Sequence, residues 1–494
     1  MHQPSSTPLR WFDGVNPPEA NEDTFNRIFN VLPDASGPEF GLDGAPLSTP
    51  HVRARTLTDW YCVLLMTVLL GYVFIGKGFA YQGIPPLLVG EFALVTGAFC
   101  YLLTGTLFAT LSTLSARLLA ALMVWVVIRT VPYIGEYGID APRDAVVVMY
   151  GAFAFITLAL LLENKNRLND FLAVYTVAAT VYVLSSPVVF LVTRFLADYI
   201  PTFSAPSGEP ISLWSFRPGQ FGVHLGGAAL FAFLGLQKVN FVWFIAFLAT
   251  ATMASATSRG AMLAIVVPIL LVTVLGGRIR QLAKILAYCT VGLGAVLVVE
   301  IAYFDFRDVD TLSSYDRAIG VRQVISGVFS IFDGSGAQLS QTKEWRLRWW
   351  EIIQDHTLNG PYFWTGKGFG INLADADGFQ QPNQENAPPL RDPHSVHITL
   401  LARAGVPGLV LWVGMLASWS LLLISTSYQA HARGELKWAD VLLFIFGYGV
   451  AVVVESSFDI GLAGPMMGIP FWSLFGLGIG AAMIYRAKYP TADD

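Results

Sequence analysis

Apolar runs of about 18 residues or more recur along most of this chain, each long enough to cross the hydrocarbon of a bilayer as a helix. Inside a bilayer every backbone N–H and C=O must find a partner within the protein, which a helix supplies from its own segment. Barrel strands are shorter and alternate, so they do not give continuous apolar runs. The composition agrees: 13% of residues are charged and 54% hydrophobic, against roughly 25% charged in soluble domains. The expected fold class is an all-α polytopic membrane protein with about twelve transmembrane helices. The net charge of −5 says little, because the placement of the charges matters more than their sum.

The expected span cores are residues 59–76, 86–104, 115–132, 145–162, 171–198, 221–237, 240–256, 260–276, 283–303, 395–425, 439–456 and 467–486. The fifth and tenth are long enough to tilt or break. The seventh and eighth meet at a tight turn, Thr257-Ser258-Arg259-Gly260. Between the ninth and tenth lies a polar stretch of about ninety residues, far longer than packing requires, and long loops of this kind usually serve function.

Lys and Arg in short connections set orientation. With the N-terminus inside, the cytoplasmic flanks hold Arg53, Arg55, Lys165, Arg167, Lys238, Arg278, Arg280, Lys284, Arg433, Lys437, Arg486 and Lys488; the other side holds fewer. The domains expected are a cytoplasmic tail 1–57, helices one to nine over 58–303, a large external loop 304–394, helices ten to twelve over 395–487 and a cytoplasmic tail 488–494. The first tail is polar and Pro-rich, read as mostly disordered with a short helix around residues 24–32. No charged-then-apolar signal pattern opens the chain, so the first span is expected to act as an uncleaved anchor. Cys62, Cys100 and Cys289 all fall in apolar segments without a CxxC neighbour, which gives no support to a disulfide framework or zinc site.

Arg217 and Arg259 break the charge bias, sitting at external span mouths. An arginine near membrane depth is costly and usually partnered. Either it pairs with a carboxylate such as Glu455 or Asp459, or it captures an anionic ligand. In Arg391-Asp392-Pro393-His394, Asp is a favoured N-cap and Pro a favoured first helical residue, so the tenth span is expected to start at Pro393. That puts His394 in the first turn, where the helix field suits a phosphate and favours a neutral, proton-accepting imidazole. His397 lies about one turn further on. Arg346 and Arg348 belong to an amphipathic pattern, Trp345-Arg346-Leu347-Arg348-Trp349-Trp350, read either as a helix lying on the membrane surface or as a phosphate-binding element. Two DxD triplets, Asp308-Val309-Asp310 and Asp375-Ala376-Asp377, have the spacing of metal ligands, but such short patterns are common in polar loops.

Several of these pieces, in order over residues 217–480, resemble the O-antigen ligase and polymerase superfamily. They are Ser258-Arg259-Gly260-Ala261, Arg346 with Trp350, the glycine cluster Gly366-Lys367-Gly368-Phe369-Gly370, and His394 followed by Gly405 and Gly408. Ser395 stands where the family usually has Asn, and Pro361-Tyr362-Phe363-Trp364 is extra before the glycines. The resemblance implies a GT-C-like membrane fold in the bacterial inner membrane, with the long loop periplasmic. It implies transfer of a glycan from an undecaprenyl-diphosphate carrier to an acceptor hydroxyl, on lipid A core, another carrier-linked glycan or a protein, with no cofactor or metal required. Arg217, Arg259 and Arg346 would hold the diphosphate and His394 would activate the acceptor, with Arg348 and His397 as further contacts. Other polysaccharide-assembly proteins are possible partners; nucleic acid is not expected. The competing classes are a lipid-linked glycan transporter, which would carry ionisable residues near mid-membrane in repeated halves, and a non-catalytic assembly subunit.

Overall fold

The computed structural model describes residues 56–84, 87–204, 210–303, 320–321, 323–325, 337–380 and 390–490. The tail up to residue 55, with its expected helix at 24–32, and the triplet Asp308-Val309-Asp310 lie outside the described residues. The main helices are α1 (Leu57–Phe74), α2 (Val89–Leu103), α3 (Leu114–Thr130), α4 (Asp140–Met149), α5 (Ala152–Glu163), α6 (Arg167–Phe195), α7 (Pro218–Phe233), α8 (Phe241–Thr257), α9 (Arg259–Leu275), α10 (Ile279–Tyr303), α11 (Ala337–Gln354), α12 (Val396–Ala432), α13 (Leu436–Ser456) and α14 (Pro465–Lys488). Two short antiparallel hairpins, Gly83–Ile84 with Leu87–Leu88 and Thr202–Ser204 with Pro210–Ser212, complete the described structure.

Each expected span core overlaps an apolar helix, and the fourth covers two, α4 and α5, which are separated at Tyr150-Gly151. Among the described residues eight helical segments are long and apolar enough to cross a membrane, and Val89–Leu103, Phe241–Thr257 and Arg259–Leu275 are shorter apolar helices. The chain is therefore a polytopic, mostly helical membrane protein. The tight turn at 257–260 is present in its shortest form: Ser258 alone separates α8 from α9, extended at φ −144°, and its hydroxyl accepts the Ala261 N–H.

Small residues decide how the helices meet. Lipid is as apolar as a leucine side chain, so close backbone approach carries much of helix association in a membrane. A Cβ on Gly222 of α7 would lie 2.4 Å from the Ala261 Cα of α9, and one on Gly226 would lie 2.6 Å from the Ala264 carbonyl oxygen. Elsewhere in the bundle a Cβ on Gly476 of α14 would lie 2.1 Å from the Ala154 oxygen of α5. The α7–α9 contact joins residues near the start of both helices, so it sets the N-terminus of α7 beside that of α9. A Cβ on Gly219 would lie 2.3 Å from Glu455 Oε1, which brings the end of α13 to the same place. Buried indoles pin the core: Trp419 donates to Phe475 O at 3.0 Å and Trp472 to Val147 O at 3.1 Å.

α12 is broken near its start. Gly405 has φ +69° and ψ −172°, and the carbonyls released there are taken up from outside the helix. Ala402 O accepts from Lys367 N (2.7 Å), Arg403 O from Gly368 N (3.0 Å) and Ala404 O from Trp125 Nε1 (2.9 Å). The glycine cluster is thus a backbone strand laid into the kink, where a Cβ on Gly366 would strike the Arg403 backbone at 2.4 Å.

Gly222→Leu is expected to force α7 and α9 apart, costing about 1–3 kcal/mol or more, because the obstructing atoms are backbone. Gly135→Ala, with nothing within 4 Å of the added Cβ, is the control. Thermal midpoints of the two purified variants check this: a wild-type midpoint for Gly222→Leu would show that the helices do not depend on that contact.

Candidate active site at one end of the bundle

Five elements deliver side chains to one place. Arg217 is the N-cap of α7 and Arg259 the first residue of α9, so the glycine contact sets them at the same end. Arg346 comes from α11, which packs through the fully buried Trp349 and Ile353 against Leu373, Ala374, Phe379 and Ala402. The loop after α13 brings Ser457, Phe458 and Asp459, and the segment before α12 brings His394. Arg217 Nη1 donates to Asp459 Oδ1 at 2.8 Å. Arg346 Nη1 donates to the Phe458 carbonyl at 2.9 Å. Burial lowers the Arg346 guanidinium from its ordinary pKa; Asp459 opposes that shift and Arg259 adds to it, which sets these charges within electrostatic reach of one another.

The carboxylate partner foreseen for Arg217 is therefore present, and it is Asp459. Burial pushes the Asp459 carboxyl up, but the adjacent His394, the Arg217 guanidinium and the Ile460 N–H outweigh burial and hold it down at about 2. Glu455 lies just below, 1% exposed, wedged between Gly219 and Gly461.

His394 corrects the sequence reading. α12 starts at Val396 with Ser395 as N-cap, not at Pro393, so His394 precedes the helix and is not in its first turn. Asp392, expected to cap, is instead an ion-pair partner of Arg403, which leaves the capping position to Ser395. The imidazole faces a carboxylate in place of the helix end: Nδ1 lies 3.8 Å from Asp459 Oδ1, too long for a hydrogen bond yet a direct charge contact once the ring is protonated. Its backbone has φ +55°, the one positive φ outside glycine among the described residues. Such a conformation costs of order 1–3 kcal/mol and persists where the surroundings impose it, often at functional sites.

His397 is engaged on both ring nitrogens. Trp412 Nε1 donates to Nδ1 at 3.0 Å, and since an indole N–H only donates, Nδ1 must be the unprotonated nitrogen. Nε2 then carries the proton and donates to Ser457 Oγ at 3.0 Å. The Ser457 hydroxyl donates in turn to Val453 O at 2.8 Å. His397 is thus a neutral strut that fixes the loop leading to Asp459.

The other expectations divide. Arg348 is exposed on the face of α11 opposite Arg346 and is not brought into the cluster. One face of α11 packs on the loop and α12, with Trp350 Nε1 donating to Pro393 O at 2.7 Å, while Leu347 and Ile352 stay exposed on its outer side. Asp377 of the second DxD triplet is buried, paired with Lys367 and accepting from Trp349 Nε1, which makes it part of the fold. Among the described residues no group of three His, Cys, Asp or Glu gathers. Sequence reading passed over Arg403, although a lone arginine inside the apolar run Leu400-Leu401-Ala402-Arg403-Ala404 was a signal that it has a buried partner. It also left Asp459 as a mere counter-ion, when it also faces His394.

Some 10 Å down α7 from Arg217, at 1.5 Å per residue, a cavity of about 140 Å³ opens among α1, α6, α7, α13 and α14. Its wall is almost wholly apolar, with Leu70, Tyr175, Tyr182 and Phe471 among the lining and a His224–Tyr448 hydrogen bond of 2.7 Å on one side.

Because Asp459 is held below the ordinary carboxyl value of 3.8, its contribution to stability is complete above that value and is lost as the pH falls through about 2. The difference in thermal midpoint between wild type and Asp459→Asn is therefore expected to persist from about pH 8 to 5 and to shrink only as the pH falls toward 2. A difference that vanished already near pH 6 would mean that the carboxylate is not held down by its neighbours.

No curated protein matches the chain. A family model described as O-antigen ligase matches residues 244–413. The matched segment contains Arg259, Arg346, the glycine cluster, His394 and both Gly405 and Gly408, while Arg217 and Asp459 lie outside it. Over that segment the chain is similar to the O-antigen ligase family, which supports a membrane glycan-processing role of that type.

Proposed function

We propose that the chain transfers an undecaprenyl-diphosphate-linked oligo- or polysaccharide to an acceptor hydroxyl at the periplasmic face of a bacterial inner membrane. In this reading about twelve helices cross the membrane, both termini are cytoplasmic, and the loop 304–394 is periplasmic. The acceptor is a lipid A core or another carrier-linked glycan. The observation that carries the reading is the convergence of Arg217, Arg346 and His394 on the Asp459 loop, with Arg259 beside Arg217 at the α7–α9 contact.

The chemistry follows from the charges. The acceptor hydroxyl gives its proton to His394 as its oxygen forms a bond to the anomeric carbon. The bond from that carbon to the phosphate oxygen breaks, and the lipid diphosphate leaves with the electron pair. Guanidiniums at the leaving group stabilise charge that develops only as the bond breaks, so they lower the barrier as well as bind. Arginine suits this through its planar fork of donors. The apolar cavity about two turns along α7 from Arg217 supports a lipid-linked donor, because its wall is hydrocarbon-like.

Arg259→Ala and Arg346→Ala are each expected to reduce transfer to near background at normal membrane insertion, and Arg→Lys at either position to restore it only partly. His394→Ala is expected to lose about 10²–10⁴-fold in transfer while still binding donor. His397→Ala is expected to be milder and to act through Asp459. Purified protein with a lipid-linked glycan, assayed for donor binding and transfer side by side, tests all four. Movement of the lipid across the bilayer without transfer would make the protein a transporter, and full activity in either arginine variant would remove that residue from the site.

Transfer is further expected to persist in excess EDTA, since the charge at the leaving group is assigned to arginines. Activity lost to the chelator and recovered specifically with Mg²⁺ or Mn²⁺ would sink the arginine account and bring Asp308 and Asp310 forward.

A further inference from the structure

Beside the site lies a second charge cluster that the chemistry above does not use. Arg403 is fully buried about two turns inside α12. It reaches Asp144 at 3.0 Å, Asp392 at 3.3 Å and the Ile371 carbonyl at 3.0 Å. Arg391 reaches Asp140 at 3.1 Å, Asp144 at 3.0 Å and the Gly370 carbonyl at 2.8 Å. Asp144 also accepts the Gly370 N–H at 3.1 Å. Two arginines and three aspartates thereby tie together four parts of the chain: α4, the glycine cluster, the segment 391–392 and the body of α12.

A buried arginine between two carboxylates is a poor way to gain stability, because desolvation offsets most of the attraction. What it does fix is geometry. Residues 391 and 392 are held by α4 and α12, and Pro393 by the Trp350 indole at 2.7 Å. The next residue is His394, at φ +55°. A strained backbone is maintained only by surroundings that over-determine it, and here those surroundings are this clamp on one side and the start of α12 on the other.

We propose that Arg403, acting through Asp392, is a positioning residue for the transfer reaction: it holds the chain entering His394 so that the imidazole faces Asp459. The inference rests on the proposed role of His394. Displacement of a reacting group by about 1 Å through a remote change can cost about 10²-fold in rate. A merely structural ion pair, once weakened, lowers the amount of folded protein but leaves each folded molecule equally active.

The test is steady-state transfer per folded molecule for Asp392→Asn, Arg403→Lys and Arg403→Met, with thermal melting to count folded protein. Asp392→Asn keeps the shape and removes one charge. Lys keeps the charge but lacks the fork that reaches two carboxylates at once. The expected result is a fall in kcat of about 10–100-fold for Asp392→Asn with the donor KM unchanged, and activity ordered wild type, then Lys, then Met at position 403. If Arg403→Met does not fold, the other two variants carry the test. Wild-type kcat in both Asp392→Asn and Arg403→Lys overturns the positioning role, as does a raised donor KM with kcat intact. His394→Ala run alongside separates the two ideas. An inactive His394→Ala beside fully active clamp variants leaves the functional reading standing and removes this inference alone. A fully active His394→Ala removes both.

Discussion

The site depends on two helices touching along their backbones. Guanidiniums repel, and nothing in their own chemistry brings Arg217 and Arg259 to one end of a membrane bundle. The contact of Gly222 and Gly226 with Ala261 and Ala264 does so, because it fixes α7 against α9 close to where both helices begin. Any side chain larger than hydrogen at either glycine would meet backbone, which cannot move aside. Lipid offers no hydrophobic gain for bringing helices together, so this intimacy has to come from van der Waals contact between small residues. The positive end of the site is in this sense a consequence of packing several ångströms below it.

Much of this was legible in the sequence, and the reasons differ by feature. The apolar helices were readable because apolar runs must be helical in a bilayer, and each expected core overlaps one or two helices. Arg217 and Arg259 stood out as arginines at the mouths of expected spans, and the tight turn at 257–260 was readable from its composition. The start of α12 was not. Asp392 and Pro393 satisfy every local rule for a helix start, yet Asp392 is spent on Arg403, and a buried arginine offers a carboxylate more than a backbone N–H at a helix terminus does. A tertiary ion pair overrode a local cap by three residues, and His394 passed from the helix into the strained residue ahead of it. The partner, Arg403, lies eleven residues further along, and local patterns of N-cap and first turn do not look that far. The role of Asp459 was hidden for a similar reason: its two neighbours, Arg217 and His394, are distant in sequence and meet only through the fold.

That last meeting has a chemical consequence. Arg217 and His394 address the same oxygen, Asp459 Oδ1, at 2.8 and 3.8 Å, and the Ile460 N–H occupies it as well at 2.8 Å. A carboxylate oxygen has few lone-pair sites, so the arginine's hold on it competes with a hydrogen bond from the imidazole. Under the proposed function a diphosphate that drew Arg217 toward itself would leave that oxygen with capacity for His394 Nδ1–H, and Nε2 would be the nitrogen to take a proton from the acceptor. The carboxylate then orients the ring and opposes the positive charge that forms on it, as in the acid–base pairs of acyl-transfer enzymes. With the arginine bound to Asp459 the imidazole is held less firmly. Under the proposed function, donor binding and activation of the acceptor would therefore be linked through one oxygen atom.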